Sequence, residues 1–323
     1  LLVICAGWST GLWACVRAHL HRMAPQDPRC QDRPLVASGS KLQACPRPPA
    51  LALVSGKGGV GRSSLSLNLA LSLGTLNRSI LLIDADPHPG HLALLGGVES
   101  PPSLLATGCA QTRSLSPSVD LLQVFPPVGG NPHLDDLHMD SGALLAFESQ
   151  YDLLVTDSGP GIDADSQAAS QAADAVWVII TPELTAVADG YATGKRLQQL
   201  ESQIQLGCLV NAAESAEEAE DLQQGFADLF ERFLGAQIDN RGYIPLDRTV
   251  RDAAKNQTPF SLARPSTPAA LAVADLAIGL SERHPIVTLH HHRAYLEGIV
   301  DLVSASLDGS KARRRAQEPS PTT

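Results

Sequence analysis

The sequence predicts an α/β fold with a doubly wound, mostly parallel sheet of about seven strands. Short apolar runs of strand length recur between residues 51 and 244 without strict alternation, as expected for strands buried on both faces of a parallel sheet. Segments with helical periodicity separate most of these runs, which predicts right-handed crossovers. The composition, 44% hydrophobic and 18% charged, suits a chain with a substantial core. The predicted strands are residues 51–54, 80–83, 121–125, 153–156, 176–180, 208–210 and, more weakly, 238–244.

Two of the helices are predicted from their residues. Residues 63–74 read SSLSLNLALSLG and end at a glycine, the residue that often follows a helix C-terminus. Residues 214–234 carry apolar side chains at helical spacing, which predicts a single apolar face. These side chains are Leu222, Phe226, Leu229, Phe230 and Phe233.

Charge and cysteine usage exclude several classes of protein. The formal net charge is −10 and no long basic face is visible, which argues against nucleic-acid binding driven by phosphate neutralisation. The six cysteines form no CxxC pair, so neither a disulfide framework nor a zinc site is predicted, and a reducing cytoplasm is the simplest compartment. No stretch of about 18 apolar residues predicts a membrane-spanning helix.

The N-terminal part of the chain differs from the body that follows it. Residues 1–49 contain many prolines and predict a disordered extension without a core. The chain begins with Leu, and its first methionine is Met23. We therefore hypothesise that residues 1–22 are upstream sequence included by a misplaced start. The folded body is expected to occupy residues 50–280.

The C-terminal region, residues 281–323, predicts an amphipathic helix, with a polar and disordered basic tail over residues 309–323. Two interpretations of the helix are open. It could bind the inner face of the membrane, or it could pack on its own domain or on a partner. Its apolar positions are Leu296, Ile299, Val300, Val303 and Leu307.

The first predicted strand leads directly into the glycine-rich segment SGKGGVGRSS, residues 55–64, and then into a helix. Closely spaced glycines let successive backbone N–H groups point at phosphate oxygens, and the helix N-terminus favours the same anion. Ser63 stands where a loop hydroxyl binds Mg²⁺, and Arg62 stands where a cation reaches the phosphates. The predicted nucleotide contacts in this segment are Gly56, Lys57, Gly58, Gly59, Val60, Gly61, Arg62, Ser63 and Ser64.

Several motifs along residues 51–280 resemble, in order, those of the MinD/ParA class of P-loop ATPases. GKGGVGRSS resembles the deviant Walker A motif, ILLIDADPHPG the first switch, and LLVTDSGPGID the Walker B strand and second switch. VIITPELTAVADGYATGKRL and LVNAA resemble the two segments that follow. The late stretch FLGAQIDNRGYIPLDRTVRDAAKNQTPF is most similar to the flagellar-number regulators of FlhG/FleN/YlxH type.

The resemblance implies a role for individual residues. Lys57 would reach the phosphates of a partner subunit in an ATP-sandwiched homodimer. Asp86 would orient the attacking water, while Ser63, Asp84 and Asp157 would hold Mg²⁺. The adenine would be bound by Asn211 and by the backbone near Pro245, and Gly161 would let the second switch move.

Arg62 departs from the family pattern, which has a second, catalytic lysine at its position. Arginine keeps the charge but is longer and planar, so nucleotide binding could persist while hydrolysis slows. Three hypotheses follow: an ATP-dependent dimerising switch that controls flagellar number or placement, a nucleotide-gated scaffold that scarcely hydrolyses ATP, and a chromosome- or plasmid-partition ATPase. For the switch, the resemblance implies a flagellar GTPase or basal-body component as protein partner. The net charge of −10 disfavours partition.

Overall fold

The computed structural model describes residues 47–127, 140–161, 164–200, 204–283, 286 and 293–317. The predicted N-terminal extension up to residue 46 lies outside these residues. The body forms a sheet of eight strands in the order β3-β4-β2-β5-β1-β6-β7-β8. Its strands are β1 Ala50–Ser55, β2 Ile80–Ala85, β3 Thr112–Ser116, β4 Val119–Gln123, β5 Leu153–Pro160, β6 Ala175–Ile180, β7 Gln205–Ala213 and β8 Asp239–Pro245.

The sheet confirms the predicted doubly wound fold and adds one strand to the predicted seven. β3 pairs antiparallel with β4, whereas all other neighbouring strands are parallel. β3 was missed because its sequence, TRSLS, contains no apolar run and its residues are exposed or half-buried. By contrast β1, β2 and β6 are buried along their whole length, as central parallel strands require.

Helices cover both faces of the sheet. They are α1 Arg62–Thr75, α2 His91–Gly96, α3 Leu104–Thr107, α4 Ser141–Glu148, α5 Ala164–Ala172, α6 Leu184–Leu200, α7 Ala216–Leu234, α8 Arg248–Lys255, α9 Phe260–Ala263, α10 Pro268–Ile278, followed by a π-helical turn Gly279–Arg283, and α11 Tyr295–Gln317. The helices α5, α7 and α11 contribute to the core on one face, and α1, α8 and α10 to the core on the other. Among the described residues no helix has the length and apolar character needed to span a membrane.

Two helices differ from the sequence prediction in detail. Phe226 and Phe230 of α7 are buried as expected, but Phe233 is 62% exposed, with the Arg232 guanidinium 5.5 Å from its ring centroid. Phe233 lies about one helical turn beyond Phe230, and its side chain is not part of the buried face of α7. The helix α11 continues to Gln317, into the tail that was expected to be disordered, because Lys, Arg, Ala and Gln are good helix formers.

The helix α11 packs onto the body of this chain through its N-terminal half. The predicted apolar residues Leu296, Ile299, Val300 and Val303 are buried in the core with α5, while the side chain of Leu307 lies outside the described residues. The backbone N–H groups of Tyr295 and Leu296 donate to the carboxylate of Glu148 at 2.9 and 2.7 Å. The Tyr295 hydroxyl is 3.0 Å from Thr156 Oγ1 and donates to the carbonyl of Ala169 at 2.8 Å. The part of the apolar face of α11 that the structure describes is therefore covered by its own domain.

Candidate functional site

The glycine-rich segment lies at the carboxyl edge of the sheet, between β1 and α1. Gly59 and Gly61 have φ values of 85° and 86°, in the left-handed region that glycine adopts without strain. Gly61 is the N-cap of α1, and no described side chain caps this helix. The first backbone N–H groups of α1 are therefore available to an anion, as in a phosphate-binding loop.

The loop is held closely against the start of α6. A Cβ atom built on Gly56 would lie 2.1 Å from the carbonyl carbon and 2.2 Å from the carbonyl oxygen of Asp189. The neighbouring Lys57 donates from Nζ to Glu183 Oε2 at 2.5 Å and to Thr185 Oγ1 at 3.1 Å. The ammonium of Lys57 is thus hydrogen-bonded to the first turn of α6 and to the residue before this helix.

Arg62, on the first turn of α1, connects three parts of the site. Its Nε donates to Asp157 Oδ1 at 2.7 Å, NH2 to Asp86 Oδ2 at 3.0 Å, and NH1 to Ser55 Oγ at 3.1 Å. Only 7% of the Arg62 side chain is exposed, against 6% for Asp86 and 1% for Asp157. These are buried, charge-assisted hydrogen bonds, the stronger class of such bonds.

Two strand ends bring the carboxylates together. Asp84 of β2 and Asp157 of β5 are register partners on adjacent parallel strands. Asp84 accepts hydrogen bonds from the backbone N–H groups of Gly90 at 3.0 Å and Asp86 at 3.3 Å. Burial raises the pKa of Asp84 to about 7, and the neighbouring Asp157 carboxylate contributes to the increase. The site therefore places three carboxyl groups, those of Asp84, Asp86 and Asp157, close to the single guanidinium of Arg62.

The residues predicted to hold Mg²⁺ fit that ion chemically. Asp157 Oδ2 is buried and accepts no hydrogen bond from any residue that the structure describes, so it retains an unused acceptor next to Asp84. Ser63, with a half-buried side chain, lies in the same first turn of α1 as Arg62. A hydroxyl and one or two carboxylates are the protein ligands that Mg²⁺ takes beside a phosphate.

The residues predicted to bind the base lie at the ends of β7 and β8. Asn211 donates from Nδ2 to the carbonyl of Val60 at 2.7 Å, so its amide supports the loop. A Cβ on Gly61 would lie 2.4 Å from the same Nδ2. Pro245 is the last residue of β8 and pairs with Ala213. Both residues lie at the carboxyl edge of the sheet.

Other predicted residues have mainly local roles in this conformation. Val60 is buried in the core beneath the loop, and Gly58 and Gly59 are exposed. The Ser64 carbonyl accepts from Asn68 Nδ2 at 2.7 Å within α1. Gly161 has a φ of 97°, and its N–H donates to the carbonyl of Ser55 at 3.1 Å. The second switch is therefore hydrogen-bonded to the start of the loop.

The sequence did not predict the hydrogen-bond partners that Lys57 and Arg62 have in the site. Glu183 and Thr185 contact Lys57 from the segment after β6, and Ser55 accepts a hydrogen bond from Arg62. The sequence held a partial signal for the Lys57 contacts. Glu183 and Thr185 come shortly after the buried parallel strand β6, at the edge of the sheet where ligands bind.

Comparison with known proteins places the site in a family. Residues 51–260 match the CobQ/CobB/MinD/ParA nucleotide binding domain. The chain is 31% identical over 234 residues to the antiactivator FleN of Pseudomonas aeruginosa, covering 69% of this chain and 82% of that protein. It is also 31% identical over 154 residues to the flagellum site-determining protein YlxH of Helicobacter pylori, covering 44% and 51% of the two chains.

A solved structure shares the fold. The septum site-determining protein MinD from Pyrococcus horikoshii OT3, complexed with Mg-ADP, aligns with a TM-score of 0.60 and 21% sequence identity, covering 75% of this chain and 99% of that one. At this level of identity, the similarity shows the architecture alone.

Proposed function

Because the chain belongs to the CobQ/CobB/MinD/ParA nucleotide-binding family, we propose that it is an ATP-dependent molecular switch. In this proposal the chain binds ATP with Mg²⁺, dimerises face to face, and hydrolyses ATP to ADP and phosphate to return to the monomer. The observation that carries the proposal is the convergence of Arg62, Asp86 and Asp157 under a glycine-rich loop whose helix N-terminus has no side-chain cap.

The proposed chemistry assigns a task to each of these groups. The loop N–H groups and the start of α1 bind the phosphate oxygens. Asp86 orients the attacking water, and Lys57 leaves Glu183 to reach the partner subunit's phosphates, where it stabilises the charge of the transition state. Asn211 and the backbone near Pro245 bind the adenine. Ser63, Asp84 and Asp157 would hold Mg²⁺, which when bound neutralises charge on the phosphates.

The proposed biological output is control of flagellar number or placement. Support comes from the printed names of two relatives, the antiactivator FleN and the flagellum site-determining protein YlxH. The partner would be a protein of the flagellar machinery, such as a GTPase or a basal-body component, and the proposed compartment is the cytoplasm. Contact with the inner face of the membrane is not part of the proposal, because the described apolar residues in the N-terminal half of α11 are buried in the core with α5.

Arg62 favours a second candidate function, a nucleotide-gated scaffold that binds ATP and scarcely hydrolyses it. Its guanidinium is hydrogen-bonded to Asp86, the group proposed to orient the water. A planar guanidinium and a compact ammonium are not equivalent at a phosphate. Phosphate release by the wild type, Arg62→Lys and Asp86→Ala separates the two functions. Release from the wild type that Asp86→Ala abolishes supports the switch, and release that appears only in Arg62→Lys supports the scaffold.

Dimerisation is tested by sedimentation velocity with ADP or with a non-hydrolysable ATP analogue. We expect monomers with ADP and dimers with the analogue. Lys57→Ala should remain monomeric in both, while Lys195→Ala, a change at an exposed lysine of α6, should behave as the wild type. An identical mass with both nucleotides in the wild type would contradict the dimerising mechanism.

A further inference from the structure

Arg62 occupies an unusual position for a cation that is expected to bind phosphate. It is buried beside two carboxylates and hydrogen-bonded to both, and its third hydrogen bond is to Ser55 at the end of β1. The three acceptors belong to β5, to the first switch and to the end of β1. Arg62 is therefore the counter-ion of Asp86 and Asp157.

We propose that Arg62 is a positioning residue that couples nucleotide binding to divalent-cation binding, because it can leave Asp86 and Asp157 for the phosphates only when another cation neutralises these carboxylates. This inference rests on the proposed function, namely that the loop binds adenine nucleotides. It adds a specific consequence: without a divalent cation, the loop of this chain binds phosphate without the help of Arg62.

The burial of the three side chains makes the exchange of cations necessary. Removing one partner from a buried ion pair leaves an uncompensated charge, which costs much more than breaking an exposed pair. Asp157 has 1% and Asp86 6% of its side chain exposed, so neither carboxylate has much solvent contact to compensate for the loss of the guanidinium. Asp84, also buried, is the register partner of Asp157 and adds a third carboxyl group to this cluster.

The unused acceptor of Asp157 shows where a second cation would be held. Oδ1 of Asp157 accepts from Arg62 and contacts Ser66 Oγ at 3.4 Å, whereas Oδ2 accepts no hydrogen bond from the described residues. The carboxylate thus has one oxygen engaged by Arg62 and one left for another ligand. The residues fit a divalent cation, and Arg62 engages only one of the two carboxylate oxygens of Asp157.

The coupling depends on the shape of arginine. The guanidinium directs N–H groups from three nitrogens in one plane, and here each nitrogen serves a different acceptor. The ammonium of lysine is a compact point charge and does not form this fork. A lysine at this position would be bound less firmly by the carboxylates and would transfer to the phosphates at a smaller cost.

The test is calorimetric titration of ADP in excess Mg²⁺ and in EDTA. ADP reports phosphate binding without hydrolysis and without the proposed ATP-dependent dimer. The quantity compared is the ratio of the two dissociation constants, without and with Mg²⁺, in the wild type and in Arg62→Lys. We expect the wild-type ratio to exceed the Arg62→Lys ratio at least about tenfold, the scale of one charge-assisted hydrogen bond. A purely structural role of Arg62 would change both constants together and leave the ratio unchanged.

Two further variants complete the design. Arg78→Lys makes the same change at an exposed arginine that is hydrogen-bonded to Ser281, and its ratio should equal that of the wild type. Asp86→Asn removes one charged partner of Arg62 and should lower the ratio of the ADP dissociation constants without and with Mg²⁺. If circular dichroism shows that Arg62→Lys does not fold, Asp86→Asn becomes the deciding variant. Equal ratios in the wild type and in the deciding variant would overturn the coupling and leave nucleotide binding intact. Absence of ADP binding by the wild type in Mg²⁺ would overturn the proposed function itself, and the coupling with it.

Discussion

Replacing Gly56 by alanine tests how the phosphate loop is held in place. Gly56 is the first loop residue after β1, and its missing side chain allows the loop backbone to touch α6. A Cβ atom at this position would meet three atoms of Asp189: the carbonyl carbon at 2.1 Å, the carbonyl oxygen at 2.2 Å and Cβ at 2.5 Å. The first two belong to the backbone of a helix and cannot rotate away.

The expected cost follows from these distances. Inserting one methyl group into a packed interior costs about 1–3 kcal/mol when side chains can adjust. Since the obstacle here is backbone, we expect a loss near the upper end, about 3 kcal/mol in the free energy of unfolding. For a domain of this size, that corresponds to a decrease in melting temperature of roughly 6–12 °C. Nucleotide binding should also weaken, because the loop must move away from α6.

The chain provides a matched control two residues away. A Cβ atom on Gly58 would have nothing within 4 Å, and Gly58 does not have a positive φ. We expect Gly58→Ala to change the free energy of unfolding by less than about 0.5 kcal/mol. The measurement is urea denaturation followed by far-ultraviolet circular dichroism. Equal stability of the two variants would refute the argument that close packing against α6 fixes the loop.

Two further predictions concern the attachment of α11. Burial raises the pKa of Glu148 from 4.5 to about 7. The folded state therefore binds this proton more tightly than the unfolded state does. As the pH rises from 4.5 to 7, the free energy of unfolding of the wild type should fall by up to about 3 kcal/mol. Denaturant titrations at pH 5, 6 and 7 should show a weaker dependence of stability on pH for Glu148→Gln than for the wild type. The control Glu231→Gln, at an exposed glutamate, should show the wild-type dependence. A wild type whose stability depends on pH as weakly as that of Glu148→Gln would refute the raised pKa of Glu148. Tyr295→Phe removes the hydroxyl that contacts Thr156 Oγ1 and the Ala169 carbonyl and should cost about 1–3 kcal/mol. Thermal unfolding with no change in melting temperature would show that these hydrogen bonds contribute nothing.

The fold was predictable where a segment carries its own signal. The buried parallel strands β1, β2 and β6 are mostly apolar runs. The glycine-rich segment between β1 and a helix is a pattern specific for a phosphate-binding loop. The convergence of Asp84 and Asp157 also follows from sequence, because carboxyl ends of parallel strands meet at one edge. The edge strand β3 has no such signal, since it is polar and gains its structure by pairing with β4.

The ion pairs that Arg62 and Lys57 form in the site were not predictable from local sequence. Arg62 is 95 residues from Asp157, and Lys57 is 126 residues from Glu183. Each of these pairs depends on the three-dimensional arrangement of strand ends. The same holds for Glu148, a charged residue that is buried because it accepts hydrogen bonds from the start of α11, 147 residues away.

Calorimetric titration of the purified chain with ATP in the presence of Mg²⁺ tests the central claim most directly. The account predicts saturable binding of one ATP per chain, and weaker binding by Gly56→Ala than by Gly58→Ala. If the wild type shows no binding heat and no thermal stabilisation by ATP, the glycine-rich loop is not a nucleotide site, and the proposed switch is wrong.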